Sequence, residues 1–398
     1  MQVDCSQVLA YLDGCRDEML LLWETIVRLE TPRTTPEAVN RLASHLDTFC
    51  GALGMDTAFF RPQGAGTCLS ARTRAGTASP VLLLGHMDTV HPVGSFPGGP
   101  WRLEGGSVYG PGAHDCKGGL VIALYVIRAL QHAGYDRRQL RLALVSDEET
   151  AHTLSQGQTV DFLRREAQGC GAAFTFESGL PDGSVVTRRK GGGIVQLQVR
   201  GTASHAGTAP EQGASAAEAA AMIRDWLAHV RKIVAIQALS DPAHTTFNCG
   251  IIHGGTSANV VPDRCEVSVA LRFHTNRDRD EALSALQSIC GQVETPGTQC
   301  TLSPLAGFPA MEETDRTAAL FALYRDTSAA LGLGTPESVY SAGCSDSAYT
   351  TALGIPTLCA LGVRGQGQHS PDEHAFADSL LPQAKRLAAA ILALPDDF

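Results

Sequence analysis

Hydrophobic residues in the first half of the chain form short continuous runs, separated by longer helical segments. Strands are predicted at 81–84, 140–145 and 172–176, and a segment that is apolar on nearly all sides, 118–134, predicts a buried helix. Continuous apolar strands alternating with helices are typical of a parallel sheet that helices cover on both faces. The sequence therefore predicts an α/β domain.

The pattern changes near residue 191, where 194–199 alternates apolar and polar positions, as expected for a strand with one solvated face. A helix, two strands and a second helix are predicted after it, at 214–236, 245–254, 263–273 and 281–293. The α/β pattern then returns, with a helix, a buried strand and a terminal helix at 317–331, 354–362 and 378–394. We therefore expect a catalytic domain in two parts, 1–190 and 304–398, interrupted by an α+β domain at 191–303.

Composition narrows the possible functions. The chain has 398 residues and a formal net charge of −10, which suits two or three domains and disfavours nucleic-acid binding, since phosphate contacts need clustered Lys and Arg. The sequence contains neither an apolar stretch long enough for a bilayer nor an N-terminal export signal, so we expect no membrane association and a cytoplasmic location. The twelve cysteines form no CxxC pair, and we expect buried free thiols rather than disulfides.

Acidic and histidine side chains follow the predicted strands of the α/β domain. His86 and Asp88 come after the first strand, Glu148 and Glu149 after the second, and Glu177 after the third. The carboxyl ends of parallel strands meet at one edge of a sheet, where ligands gather in open α/β folds. Two further residues belong to the same edge, Asp115 before the buried helix and His369 after a later strand and a Gly-rich turn.

Two histidines with several carboxylates are a donor set suited to Zn²⁺, with Mn²⁺ or Co²⁺ as alternatives. Each residue alone also fits a structural histidine, a turn aspartate or a solvated strand end. The combination points to a metal site.

The motifs that hold these residues resemble those of a known family. The chain is similar to the zinc-dependent exopeptidases and deacylases that include glutamate carboxypeptidase, acetylornithine deacetylase, succinyl-diaminopimelate desuccinylase, aminoacylase and cytosolic dipeptidases, and looks closest to the bacterial glutamate carboxypeptidases. The motifs span nearly the whole chain in family order: GHMDTV (85–90), YGPGAHDCKGG (109–119), SDEET (146–150), FES (176–178), SHAG (204–207), GTSANVVP (255–262), SDSAYTTALGIP (345–356) and QHSPDE (368–373).

The resemblance implies two Zn²⁺ per subunit. His86, Asp115 and Glu177 would hold one ion, and Asp115, as a bridge, with Glu149 and His369 would hold the other. Glu148 would be the general base, while Asp88 would orient His86 without binding metal. The Asp115–Cys116 peptide is expected to be cis, as in members of the family.

The resemblance also gives the inserted domain a role as a lid and a dimerisation domain. His205 would reach the active site of a partner subunit and stabilise the oxyanion, which implies a homodimer. From the residues alone, an ordinary loop histidine is favoured over a catalytic one at His205.

Candidate substrate contacts follow from strand parity and turn composition. Arg272 shares a strand face with Glu266 and Ser268, so it is either a solvated arginine or a clamp on a substrate carboxylate, assisted by Asn259. Gly343 and Ser345, with Asp346, either line the substrate pocket or form an Asx-type turn.

Three functions remain open at this point. The first is a di-zinc carboxypeptidase that releases a C-terminal residue, with glutamate as a candidate, from a small peptide, a folate-like compound or an N-acyl amino acid. The second is an N-acyl-amino-acid deacylase or dipeptidase that uses the same site. The third is a non-catalytic metal- or peptide-binding protein. The Ser178-Gly179 pair after Glu177 departs from the commoner Pro-containing run of the family and weakens the prediction of a strict glutamate preference.

Overall fold

A computed structural model describes residues 3–74, 76–217, 219, 245–291 and 295–398. Most of the helix predicted over 214–236 and the end of the one predicted over 281–293 lie outside these residues.

The described helices begin with three near the N-terminus. They are α1 Cys5–Gly14, α2 Arg16–Arg28, α3 Pro36–Ala52, α4 Gly118–His132, α5 Gln158–Ala167, α6 Asn276–Cys290, α7 Asp315–Ala330, α8 Ser347–Ala352 and α9 Leu380–Ala393.

The described strands are short in the C-terminal part of the chain. They are β1 Asp56–Phe60, β2 Cys68–Arg72, β3 Ala78–His86, β4 Arg102–Glu104, β5 Ser107–Tyr109, β6 Arg138–Val145, β7 Ala172–Thr175, β8 Val185–Arg189, β9 Gly191–Arg200, β10 Thr246–Gly254, β11 Arg264–Phe273, β12 Gln299–Leu302, β13 Ala306–Phe308, β14 Ser338–Ser341, β15 Thr357–Leu358, β16 Gly365–Gln366 and β17 His374–Phe376.

The chain divides into two units, and the first holds the predicted α/β sheet. Unit 1 comprises Met1–Arg188, Met311–Ser341 and Ser345–Phe398. Its central sheet has the order β1-β2-β6-β3-β7-β15, in which β6, β3, β7 and β15 run parallel while β1 and β2 form an antiparallel hairpin. The mixed α/β class with a parallel-containing sheet is therefore confirmed.

The core of unit 1 explains why the predicted strands read as continuous apolar runs. In β3, the residues from Val81 to His86 are all buried, and α4 is buried from Gly118 to Ile127. Helices and sheet contribute to one hydrophobic cluster that includes Leu83, Leu124 and Phe174. Burial on this scale anchors the ends of β3, β6 and β7 rigidly, because a packed core resists deformation.

Unit 2 comprises Arg189–Ala310 and Ala342–Cys344. Its sheet is antiparallel, with the order β10-β11-β9-β12, and β13 also pairs with β9. The alternation predicted for the strand at 263–273 is present, since Val267, Val269 and Leu271 are buried while Arg272 is exposed. Unit 2 therefore has its own hydrophobic cluster on one face of the sheet.

All twelve cysteines are free thiols, as expected, and most are buried. No helix among the described residues combines the length and the apolar character that a membrane crossing requires.

Candidate active site

The ends of three neighbouring parallel strands present the predicted metal ligands of unit 1. His86 is the last residue of β3, Glu148 and Glu149 lie in a short helical turn after β6, and Glu177 follows β7. These strands are adjacent in the sheet because β3 pairs with both β6 and β7. The polar residues therefore meet at one sheet edge.

Asp115 and His369 complete the group. Asp115 lies in a buried turn, Ala113–Lys117, that precedes α4, and its peptide bond to Cys116 is cis, as expected. His369 follows β16 in the left-handed conformation, with φ of 62°. Ligand atoms of His86, Asp115 and Glu149 all lie within 4.8 Å of one another.

The two oxygens of Asp115 face two different histidines. Oδ1 lies 3.3 Å from Nε2 of His86, and Oδ2 lies 3.1 Å from Nε2 of His369. The same His369 nitrogen is 3.1 Å from Oε2 of Glu149. A carboxylate that presents one oxygen to each of two histidines has an arrangement compatible with a bridge between two cations. The donor set of imidazole nitrogens and carboxylate oxygens fits divalent zinc.

The surroundings shift the pKa values of Asp115 and Glu148 in opposite directions. Burial raises the pKa of Asp115, but hydrogen bonds from His369 and His86 outweigh this effect and hold the pKa well below its usual range. Burial and the negative charge of Glu177 raise the pKa of Glu148 well above its usual range. Asp115 is therefore the more acidic of the two carboxyl groups, whereas Glu148 is the one that holds a proton more readily.

Asp88 is completely buried and contacts both His86 and the turn that carries Glu148 and Glu149. Its backbone oxygen lies 2.9 Å from Nδ1 of His86, and its carboxylate lies 3.7 Å from the same nitrogen. The carboxylate oxygens accept hydrogen bonds from the backbone N–H groups of Glu148, at 3.2 Å, and Glu149, at 3.0 Å. The carboxylate of Asp88 is thus bonded to the turn that carries the two glutamates, a contact that the sequence did not predict.

Two other residues, Glu373 and Arg33, support the site without having been predicted. Glu373 accepts hydrogen bonds from the backbone N–H groups of His114 and Asp115, at 3.0 and 3.1 Å, and its other oxygen is 2.8 Å from Nε2 of His91. Arg33 donates to the backbone oxygen of Glu149 at 2.7 Å. Glu373 belongs to the 368–373 motif and could have been singled out there. Arg33 has no local signal, because only the fold brings it to Glu149.

The predicted residues of unit 2 are more exposed. His205 lies on the surface, where its Nδ1 accepts hydrogen bonds from the backbone N–H groups of Gly207 and Thr208, both at 3.1 Å. A ring nitrogen that accepts carries no proton, so the proton of the neutral ring is on Nε2. The side chain of His205 is therefore oriented as a hydrogen-bond donor through Nε2.

Arg272 and Asn259 lie on different parts of unit 2. Arg272 is exposed on β11, opposite Gly192 of β9, and its Nη1 donates to its neighbour's backbone oxygen at 3.3 Å. The backbone oxygen of Asn259 accepts from the N–H of Ala206, next to His205.

The two residues predicted in the turn at 343–345 fall in different units. The backbone oxygen of Gly343 accepts from Nη1 of Arg189 at 3.3 Å within unit 2. Ser345 belongs to unit 1 and is completely buried, with its hydroxyl 2.5 Å from that of Ser347. Full burial gives no support to the prediction that Ser345 lines a pocket, and the roles of both residues stay predictions.

Comparison with known proteins places the chain among relatives with this architecture. It is 27% identical to carboxypeptidase G2 from Pseudomonas sp. (strain RS-16) over 379 residues, which cover 93% of this chain and 87% of the relative. Acetylornithine deacetylase from Myxococcus xanthus is 31% identical over 215 residues, covering 52% of this chain and 53% of the relative. An M20 family metallo-carboxypeptidase from Sulfolobus solfataricus has the same fold, with a TM-score of 0.73 at 17% identity, covering 94% of this chain and 99% of that one.

The model of peptidase family M20/M25/M40 matches residues 82–393. This range contains His86, Asp115, Glu149 and His369, whose side chains converge in the structure. The protein therefore belongs to peptidase family M20/M25/M40 and is a metal-dependent peptidase or amidohydrolase.

Proposed function

We propose that the protein is a di-zinc hydrolase that releases a C-terminal amino acid, with glutamate as the first candidate, from a small peptide, a folate-like compound or an N-acyl amino acid. The observation that carries the proposal is the position of Asp115, whose two oxygens lie 3.3 and 3.1 Å from two separate histidines.

Two ions would share Asp115. His86 and Glu177 would complete one set of ligands, and Glu149 and His369 the other. Zn²⁺ suits these donors, and Mn²⁺ or Co²⁺ are alternatives. When bound, such ions polarise an amide carbonyl and lower the pKa of a water molecule.

Glu148 is the group best suited to move the proton. It is buried at the end of β6, and its raised pKa suits a carboxyl that accepts a proton from the attacking water. In the second half of the reaction the same carboxyl would donate that proton to the departing amine. Bound cations would lower the pKa of Glu148 again, so the carboxyl would be ionised at the moment it accepts a proton from the water.

Unit 2 would supply substrate contacts. The Nε2–H of His205 would donate a hydrogen bond to the oxyanion in the active site of a second subunit, which makes the protein a homodimer through this unit. The guanidinium of Arg272 would bind the α-carboxylate of the substrate, assisted by Asn259, because its fork matches a carboxylate.

A deacylase or dipeptidase is the second candidate function. Among the relatives, acetylornithine deacetylase and succinyl-diaminopimelate desuccinylase from Corynebacterium glutamicum, which is 28% identical over 54% of this chain, remove acyl groups as their names state. The match to carboxypeptidase G2 covers 93% of this chain and favours the first candidate. A non-catalytic binding protein is disfavoured because Glu148 and all five of the proposed ligands are present in the sequence.

Hydrolysis of a panel of N-acyl amino acids tests the proposal. The panel varies the acyl group and the C-terminal residue separately, and each reaction is run with added Zn²⁺ and with a chelator. We expect chelator-sensitive release governed by the C-terminal residue. Selection by the acyl group instead would favour the deacylase, and no turnover with two metals bound would favour a binding protein.

A further inference from the structure

A buried histidine, His152, follows the turn that carries Glu148 and Glu149. His152 is only 2% exposed, and its two ring nitrogens face two carboxylates. Nδ1 lies 3.2 Å from Oδ1 of Asp147, and Nε2 lies 2.6 Å from Oδ1 of Asp346. Both aspartates are also buried. Asp147 directly precedes Glu148, whereas Asp346 directly precedes α8, so the ring joins two distant segments of unit 1.

The geometry favours a positive charge on His152. A carboxylate oxygen accepts hydrogen bonds, so a ring that bonds two carboxylates must donate from both nitrogens, which only the imidazolium form can do. Burial lowers the pKa of His152, but Asp346 and Asp147 outweigh this effect and raise it to about 10. One buried cation is therefore placed between two buried anions at neutral pH.

The contacts of His152 hold the turn in its conformation. The second oxygen of Asp147 accepts from the N–H of Ser155 at 2.9 Å, and the backbone oxygen of Asp147 accepts from the N–H of His152 at 3.0 Å. Ala151 and His152 are left-handed, with φ of 52° and 57°, a region that non-glycine residues occupy only when the surroundings fix them. The turn is thus held by Asp88 on one side and His152 on the other.

His152 also offsets the charges of two buried carboxylates. Asp147 is 0% exposed and Asp346 is 2% exposed, and each lies within 3.2 Å of a ring nitrogen of His152. Oδ2 of Asp346 is buried and has no hydrogen-bond partner among the described residues. Without the cation, Asp147 and Asp346 would be uncompensated buried charges, which is costly in a low-dielectric interior.

We propose that His152, held between Asp147 and Asp346, is a positioning residue for the hydrolytic reaction, which fixes the turn that carries Glu148 and offsets the charge of Asp346. The proposal rests on the function proposed above. It concerns a residue outside every motif that links the chain to its family.

The test compares His152→Gln with His45→Gln, a change at a half-buried histidine on α3. We expect His152→Gln to lower kcat by about 10–100-fold, the range found when a group that orients a catalytic residue is lost, with KM and bound metal nearly unchanged. His45→Gln should match the wild type. Equal kcat in the two variants would overturn the proposal.

A double variant separates charge balance from simple packing. His152→Gln combined with Asp346→Asn removes the cation and one anion together and leaves two amides that can bond each other. We expect this double variant to recover part of the kcat lost in His152→Gln. A loss as large as the sum of the two single losses would contradict the charge-balancing role.

The protonation state of the wild type provides a measurement that needs no variant and no substrate. Ring-nitrogen NMR of the ¹⁵N-histidine-labelled protein at about pH 8, above the ordinary histidine pKa, should show both nitrogens of His152 protonated. An unprotonated nitrogen would overturn the proposal even if the wild type hydrolysed the panel. If instead the wild type hydrolysed nothing, the proposed function would fail while this spectrum still tested the ion triad.

Discussion

The candidate functional residues differ in burial between the two units of this protein. In unit 1 the candidate catalytic groups are buried and bonded to one another, and Asp88, 0% exposed, accepts hydrogen bonds from the backbone of both Glu148 and Glu149. In unit 2, Arg272 is exposed on an open sheet face, and His205 is exposed in a turn. His369 is the exception in unit 1, since its side chain is 54% exposed while it contacts Asp115.

The difference in burial indicates that the two units have different roles in the reaction. A buried charged cluster is costly unless its members satisfy one another, so such a cluster is retained where chemistry needs a dry, preorganised environment. An exposed arginine or histidine remains hydrated, so it carries little desolvation cost. It contributes to function only when it binds a ligand or another chain. We therefore expect changes in unit 1 to act on the chemical step, and changes in unit 2 to act on substrate recognition and transition-state contacts.

The largest effect is expected at Glu148. Replacement of Glu148 by Ala should lower kcat by about 10²–10⁴-fold, the contribution of a general acid–base, while leaving bound metal nearly unchanged. Glu149→Ala is the matched control, because it removes a carboxylate from the same turn but should reduce metal content. If Glu148→Ala lost the metal and Glu149→Ala kept it, the roles of the two glutamates would be reversed.

His205 tests the comparison from the side of unit 2. His205→Ala should lower kcat by about 10²–10³-fold, as for loss of one oxyanion donor, without changing metal content. Mixing His205→Ala with a Glu148→Ala protein then checks the dimer, because a site completed across subunits would regain activity in the mixed dimer. No recovery on mixing would argue against a shared site.

Asp88 should have an intermediate effect in unit 1. In the wild type, the two carboxylate oxygens of Asp88 accept hydrogen bonds from two backbone N–H groups. In Asp88→Asn, one of these N–H groups would face the NH₂ group of the amide, which is also a donor. We expect metal affinity or activity to fall by about 10–100-fold, measured by metal titration and by kcat. Asp161→Asn, a change at an exposed position of α5, is the control and should behave as the wild type. Normal affinity and kcat in Asp88→Asn would show that neither His86 nor the glutamate turn depends on the Asp88 carboxylate.

The smallest effect is expected at Arg272. A substrate with an amidated C-terminus should lose about 10-fold or more in kcat/KM with the wild type, since a hydrogen-bonded charge contact is worth about 1.5–3 kcal/mol. Arg272→Ala should lose a similar factor on the free acid and be indifferent to amidation. Equal kcat/KM for both substrates with the wild type would remove Arg272 from this role.

The sequence predicted that polar residues of unit 1 gather at one edge of the sheet, because the carboxyl ends of adjacent parallel strands lie at the same edge. His86, Glu149 and Glu177 each follow a buried strand, and β3 pairs with β6 and β7 as that argument requires. Supporting residues escaped prediction, since Arg33 reaches Glu149 only through packing of segments more than 100 residues apart. The surroundings of Ser345 were also beyond the sequence, because the fold buries the side chain completely beside the hydroxyl of Ser347.

The inserted region was harder to delimit from the sequence. Its strands were predicted by alternation, but a pattern of apolar positions does not show where one hydrophobic core ends and another begins. Unit 2 begins at Arg189, and its last long segment ends at Ala310, which packs into the cluster of unit 2. The neighbouring Met311 packs instead with Val186 and Cys359 of unit 1.

Metal stoichiometry tests the central claim most directly, namely that Asp115 bridges two ions. Metal-depleted wild type and Asp115→Asn should be titrated with Zn²⁺ under identical conditions, with Asp161→Asn as the control. The account predicts two tightly bound ions per chain in the wild type and the control, and loss of tight binding of both ions in Asp115→Asn. A wild type that binds a single ion, or an Asp115→Asn protein that still binds two tightly, would contradict it.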